Sequence, residues 1–135
     1  VKNYIHDNNR PNFSVPAGGF EFFVPTGSGI LVVGADNTTL QKNIISHNNF
    51  VGIATVSTLI IGSLAGLPPE AFADIEPNPD GTKITENILT KNGSAAPPGL
   101  PLPAADLLWD GSGSNNCWSK NVYAISYPST LPVCN

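Results

Sequence analysis

The residues best suited to acid–base chemistry are His6 and Asp7, adjacent in Lys2-Asn3-Tyr4-Ile5-His6-Asp7-Asn8. An imidazole beside a carboxylate can pass protons or bind a metal, because it changes charge near neutral pH. The other histidine, His47, takes the place of Asp7 in a similar segment, Lys42-Asn43-Ile44-Ile45-Ser46-His47-Asn48. If such segments stack, His47 comes near the pair, and otherwise all three sit on a solvated polar face. Oxygen ligands are the second possibility. Asp106 and Asp110 flank a short apolar run, and Asp74, Glu76 and Asp80 share one loop. Calcium takes several oxygens from a shaped loop. It is therefore the one cofactor these acids could hold, most simply at Asp106 and Asp110. No Asp-x-Asp-x-Asp-Gly spacing occurs, so the alternative is acids that merely close turns. Trp109 and Tyr4 could stack against a sugar, whereas Trp118 fits a buried core position better. Phe20, Phe22 and Phe23 could anchor a loop or form part of a partner surface. No Gly-x-Ser-x-Gly, phosphate-binding loop or dinucleotide fingerprint appears, and no catalytic residue is assigned.

Charge narrows the partners. Ten acids against six lysines and arginines give a net charge of −4. The basic residues are scattered and Arg10 is the only arginine, so nothing resembles a stripe that could neutralise phosphates. Nucleic acid is therefore not expected as a partner. No apolar run approaches the roughly 18 residues of a membrane span. The longest, Ile30–Val33 and Leu59–Ile61, are strand-sized. Cys117 and Cys134 lie near the C-terminus without enough neighbouring ligands for a zinc site, which favours a disulfide over a metal site. A disulfide in turn points to an oxidising compartment: secreted, periplasmic or cell-surface.

The elements that must position these residues are set by a repeat. Four segments align without gaps, led by Asn3, Asn43, Asn87 and Asn121 at intervals of 40, 44 and 34 residues. Three of them carry a second asparagine five residues on, at Asn8, Asn48 and Asn92, where the fourth has Ser126. Leu40, Ile84 and Trp118 each precede a leading asparagine by three residues. Apolar positions five apart with polar residues between them form no helical stripe, so short strands joined by tight corners fit better. Asparagine suits such a corner because it tolerates the left-handed backbone region. Stacked in successive coils, its amide can donate to the next one. Residues 29–33, 51–56 and 106–109 supply further strands. The expected fold is thus an all-β solenoid of about four coils in a single domain, residues 1–135. Pro/Gly-rich loops are inserted at 10–28, 62–81 and 93–104, and residues 68–73 could make one helical turn.

These features resemble the secreted bacterial right-handed parallel β-helix repeat proteins, the broad group that includes pectate-lyase-like and alginate-epimerase-like folds. The resemblance rests on Asn3-Tyr4-Ile5-His6-Asp7-Asn8-Asn9 with Pro11-Asn12-Phe13, on Gly29-Ile30-Leu31-Val32, and on Asp36-Asn37-Thr38-Thr39-Leu40-x-x-Asn43. Its last part is Leu108-Trp109-Asp110-Gly111-Ser112-Gly113 followed by Cys117-Trp118-x-x-Asn121. It implies a right-handed helix, while the enzymes of the group use a cluster of Asp, His, Arg or Lys that is missing here. The chain starts in mid-coil and its other end looks capped by Trp118 and the cysteines. The expectation is therefore the C-terminal portion of a longer helix, or an end that docks on an exported partner protein. Two functions follow as expectations. The first is a non-catalytic exported module binding a partner protein or a polysaccharide. The second is the last coils of a polysaccharide lyase or uronan epimerase whose catalytic residues lie upstream.

Overall fold

Each of the four aligned segments carries its leading asparagine just after a left-handed corner residue, and the chain runs on from it into sheet pairing. The computed structural model describes residues 1–15 and 19–135, so residues 16–18 of the first expected insertion lie outside the described residues. Among the described residues ten strands form: β1 (Tyr4–His6), β2 (Ser28–Val33), β3 (Thr39–Gln41), β4 (Ile44–Ser46), β5 (Val51–Val56), β6 (Lys83–Thr85), β7 (Ile88–Thr90), β8 (Ala105–Trp109), β9 (Cys117–Ser119) and β10 (Ser126–Tyr127). All pairings are parallel. They assemble into three sheets, β1-β4-β7, β10-β8-β5-β2 and β3-β6-β9, called A, B and C below. The chain visits A, B and C in rotation three times. It then makes a shorter fourth circuit in which Val122 bridges to Ile88, β10 joins β8, and Val133 bridges to Trp118.

The register explains the repeat. Ile5, Ile45 and Leu89 stack in sheet A, Leu40, Ile84 and Trp118 in sheet C, and Ile30, Ile53 and Leu107 in sheet B. All nine belong to one core cluster gathered from the three sheets, which Leu131 and Trp109 complete. Burying each branched aliphatic contributes about 1.5–3 kcal/mol. A second core lies on the other face of sheet B. There Leu31, Ala54 and Leu108 pack with Val56, Ile60, Leu100 and Leu102. This double burial explains why β5 is buried along its whole length and reads as a continuous apolar run.

Two expectations about local structure need correction. Leu59–Ile61 is strand-sized by hydropathy, yet it lies in α1 (Thr58–Leu64). Ser57 caps that helix, its hydroxyl accepting from Leu59 N, and the helix lays Ile60 and Ile61 against sheet B. The corner residues differ too. At these corners the left-handed residues are Lys2, Lys42, Glu86 and Lys120, one residue before each leading asparagine, and Asp7, His47 and Lys91 before the second ones. The asparagines that adopt this conformation, Asn37 and Asn115, lie outside both sets. A leading or second asparagine stays out of that region because its side chain must turn inward and stack, so the strained corner falls to its neighbour. Residues 69–72 form a 3-10 turn within the span expected to be helical, and residues 20–23 form another.

The candidate functional site and what stacks beneath it

The polar interior decides which side chains remain for function. Asn3 Nδ2 donates to Asn43 Oδ1 at 3.0 Å, Asn43 Nδ2 to Asn87 Oδ1 at 2.9 Å, and Asn87 Nδ2 to Asn121 Oδ1 at 3.0 Å. Each receiving oxygen also takes the backbone N–H of the same donor residue, at 2.9–3.1 Å. A second column repeats the pattern from Asn8 through Asn48 to Asn92. Buried amides with donors and acceptors used in this way form a cooperative network in a low-dielectric setting.

Asp106 ends the second column. Its Oδ1 accepts from Asn92 N and Nδ2 at 3.2 and 2.9 Å, and its Oδ2 accepts from Ala124 N and Ile125 N at 2.9 and 3.3 Å. It is 1% exposed. Ser126, expected to replace the missing asparagine, instead pairs with Leu107 within sheet B, because the shortened circuit carries it past the corner. Asp106 can fill the gap because its row is otherwise glycine. Gly29 and Gly52 hold the equivalent places between the paired rows of β2, β5 and β8. A Cβ at Gly52 would come within 2.6 Å of Asp106 O and 3.2 Å of Asn92 Nδ2.

The two candidate calcium ligands are therefore occupied by hydrogen bonds of the fold. Asp110 Oδ2 accepts from Ser57 N at 2.8 Å, while its Oδ1 accepts from Ser112 N at 2.9 Å and from the Ser112 hydroxyl. In the other acidic loop, Glu76 Oε1 holds the backbone and side chain of Asn78, and Asp80 Oδ1 takes Ser114 N. Among the described residues no three His, Cys, Asp or Glu side chains come together to hold a metal ion. Trp109 is corrected as well. Strand alternation puts it on the same face as Leu107, so its ring packs 5.4 Å from Trp118 and its Nε1 donates to Ser112 O at 2.7 Å. It is not a surface platform. Cys117 and Cys134 are joined in a disulfide.

Tyr4, His6 and Asp7 do come together. The rings of Tyr4 and His6 stack at 4.4 Å, and His6 Nδ1 lies 2.7 Å from Asp7 Oδ2, all at the exposed outer face of sheet A. His47 takes the corner position of Asp7 one circuit on, with φ 56° against 54°. Below Tyr4 the register continues through Ile44 and Ile88 to Val122, and all four point to solvent, at 64%, 47%, 44% and 61% exposure. Beside them runs the corner column Lys2, Lys42, Glu86 and Lys120. Glu86 accepts from Gln41 Nε2 at 2.7 Å and lies 3.5 Å from Lys42 Nζ. The Gln41 hydrogen bond first, then the positive charges of Lys42 and Lys120, hold the Glu86 carboxyl below its usual value. On the other side lie the exposed His6 and Thr90, with Ser46 buried between them. This apolar column escapes a reading centred on polar residues. Its signal is nonetheless present, since the residue after each leading asparagine is large and apolar in all four segments.

Comparison of the chain with protein-family models, with curated proteins and with solved structures finds no match. No helix among the described residues is long and apolar enough to cross a membrane.

Proposed function

We propose that the chain is a non-catalytic binding module, a right-handed parallel β-helix that presents the outer face of sheet A to a partner protein. Three parallel sheets visited in rotation support the helical reading, and crossovers between parallel strands of one sheet are right-handed in nearly all proteins. The disulfide supports an exported location, since such bonds persist where the surroundings oxidise thiols.

The observation that carries the binding role is the solvent-facing column Tyr4, Ile44, Ile88 and Val122. Single exposed apolar residues are ordinary, but a contiguous row in register on a rigid sheet is the kind of patch that marks an interaction surface. Three of the four members are aliphatic and β-branched. They suit a protein surface better than a sugar, which prefers the flat face of an aromatic ring. The buried polar groups, by contrast, serve the stack. Asp106, Asp110 and the inward asparagines have their hydrogen-bonding atoms turned to the fold.

The test compares the immobilised chain with an Ile44→Asp/Ile88→Asp variant, each checked for an unchanged circular dichroism spectrum and melting temperature. Exported proteins of the source cell are passed over both. The reading expects a protein that the wild-type surface retains and the variant releases, and that binds again once purified. Equal retention by both surfaces refutes it, as does turnover of a uronic-acid polymer by the pure chain.

A further inference from the structure

We infer that the docking element of that partner is an amphipathic α-helix with acidic residues along one flank, lying parallel to the axis of the stack. This inference rests on the reading of sheet A just given and adds the chemistry and shape of the occupant.

Spacing is the first reason. Parallel strands lie about 4.8 Å apart, so the four exposed side chains fall at roughly 0, 4.8, 9.6 and 14.4 Å along the stack. In an α-helix, residues i, i+3, i+7 and i+10 share a face and fall at about 0, 4.5, 10.5 and 15 Å. The two series agree to within about 1 Å at every step. An extended segment running the same way places its same-face residues at roughly 6.7 Å intervals and loses register by the second row. A helix can therefore set one apolar residue against each of Tyr4, Ile44, Ile88 and Val122. The exposed apolar stripe is one column wide, which matches the narrow apolar face of such a helix.

Charge is the second reason. The chain carries six cations and a net charge of −4, yet Lys2, Lys42 and Lys120 all belong to the single corner column beside the stripe. Glu86 leans on Gln41 and Lys42, which turns the middle of that column inward on itself. Lys2 and Lys120 remain at its two ends. They lie about 14 Å apart along the axis, close to the advance of ten helical residues. The complement is a pair of carboxylates about ten residues apart on one flank of the partner helix. The opposite flank would face the exposed His6 and Thr90 and, beyond them, the mixed-charge corner column Asp7, His47 and Lys91, which favours neither sign of charge.

The probes are three synthetic peptides of equal length with the same apolar residues. One is helical with glutamates on the flank, one is helical with lysines there, and one has an alternating extended pattern with glutamates. Binding to the full chain is read by fluorescence anisotropy at low and high salt. The glutamate helix is expected to bind best, about fivefold or more tighter than the lysine helix, an advantage that salt reduces. That preference should vanish in Lys2→Glu/Lys120→Glu, and both helices should be lost in Ile44→Asp/Ile88→Asp. Equal binding of the two helices, with both lost in the isoleucine variant, overturns the acidic flank and leaves the sheet A reading standing. Tighter binding of the extended peptide, or no binding of either helix, overturns the helical occupant. Helix binding that survives the isoleucine variant overturns this inference and counts against the sheet A reading as well.

Discussion

Asp106 stands directly below Asn92 and takes both of its N–H groups on one carboxylate oxygen, at 3.2 Å from N and 2.9 Å from Nδ2. Its other oxygen gathers Ala124 N and Ile125 N, so one buried side chain joins the end of the amide column to the returning chain. An amide cannot do this. In Asp106→Asn, one face would bring an NH₂ group against two backbone donors. The expected cost is about 3 kcal/mol, read as a lower urea midpoint at unchanged slope. A loss below 1 kcal/mol would mean that Asp106 is not the terminator of the column.

The leading asparagines should differ in a graded way. Asn43 is buried with its amide engaged on both sides, whereas Asn3 is exposed and serves only the row below it. Asn43→Ala should cost about 2–4 kcal/mol and Asn3→Ala less than about 1 kcal/mol. Equal costs in chemical denaturation would show that the column does not act as a buried network.

Gly52 tests the space reserved for the second column. An added Cβ would lie 2.6 Å from Asp106 O and 2.7 Å from Leu89 Cδ2, neither of which can move without shifting a strand or the core. Gly52→Ala should therefore destabilise by about 1–3 kcal/mol through overpacking, despite alanine's smaller loss of chain entropy. A neutral result in thermal unfolding would contradict this packing.

The disulfide holds the last segment, with Trp118 N donating to Pro132 O at 2.7 Å beside it. A closed loop of 17 residues should contribute about 3 kcal/mol. Reduction, or the Cys117→Ser/Cys134→Ser pair, should lower the melting temperature and red-shift the fluorescence of Trp118 as its cover loosens. Unchanged stability on reduction would place the stabilisation in the stack alone.

Glu86 supplies a pH test of the corner column. Its carboxyl should titrate below 4.5, and Gln41→Ala, which removes the largest cause, should move it back toward that value. Because the folded value is depressed, the stabilisation is present above pH 4.5 and fades as pH falls through the folded value. NMR titration of the Glu86 side chain in both chains reads this directly, and identical titrations would exclude Gln41 as the cause.

Much of the architecture was legible in the residues. The leading asparagines and the columns led by Ile5 and Leu40 follow from spacing. Each is fixed by a local repeat whose period the fold merely stacks. Counting ten residues back from Trp118, by contrast, matches Leu108 to Ile30. That misses by one residue the register that pairs Leu107 with Ile30 through Ile53. Asp106 was not legible as the end of a column. It occupies a glycine's row and replaces an asparagine from another circuit, a relation between residues that are not aligned in sequence. Trp109 was misplaced because a solitary tryptophan near a turn gives no hint of which strand face it shares. Leu59–Ile61 was misread because three apolar residues carry no period, and the cap at Ser57 decides for helix.

What the sequence by itself determined is the repeated unit: which residues turn inward as amides, which fill the core, and where chain can be inserted. Side-chain period and hydrogen-bonding capacity are properties of single segments, so they are written there in full. What only the tertiary structure decided is which residues become neighbours across circuits separated by insertions of unequal length. Stacking at one strand spacing per circuit turned Tyr4, Ile44, Ile88 and Val122 into a continuous exposed row, and Lys2, Lys42, Glu86 and Lys120 into another. The candidate surface exists because of that superposition, which no segment contains alone.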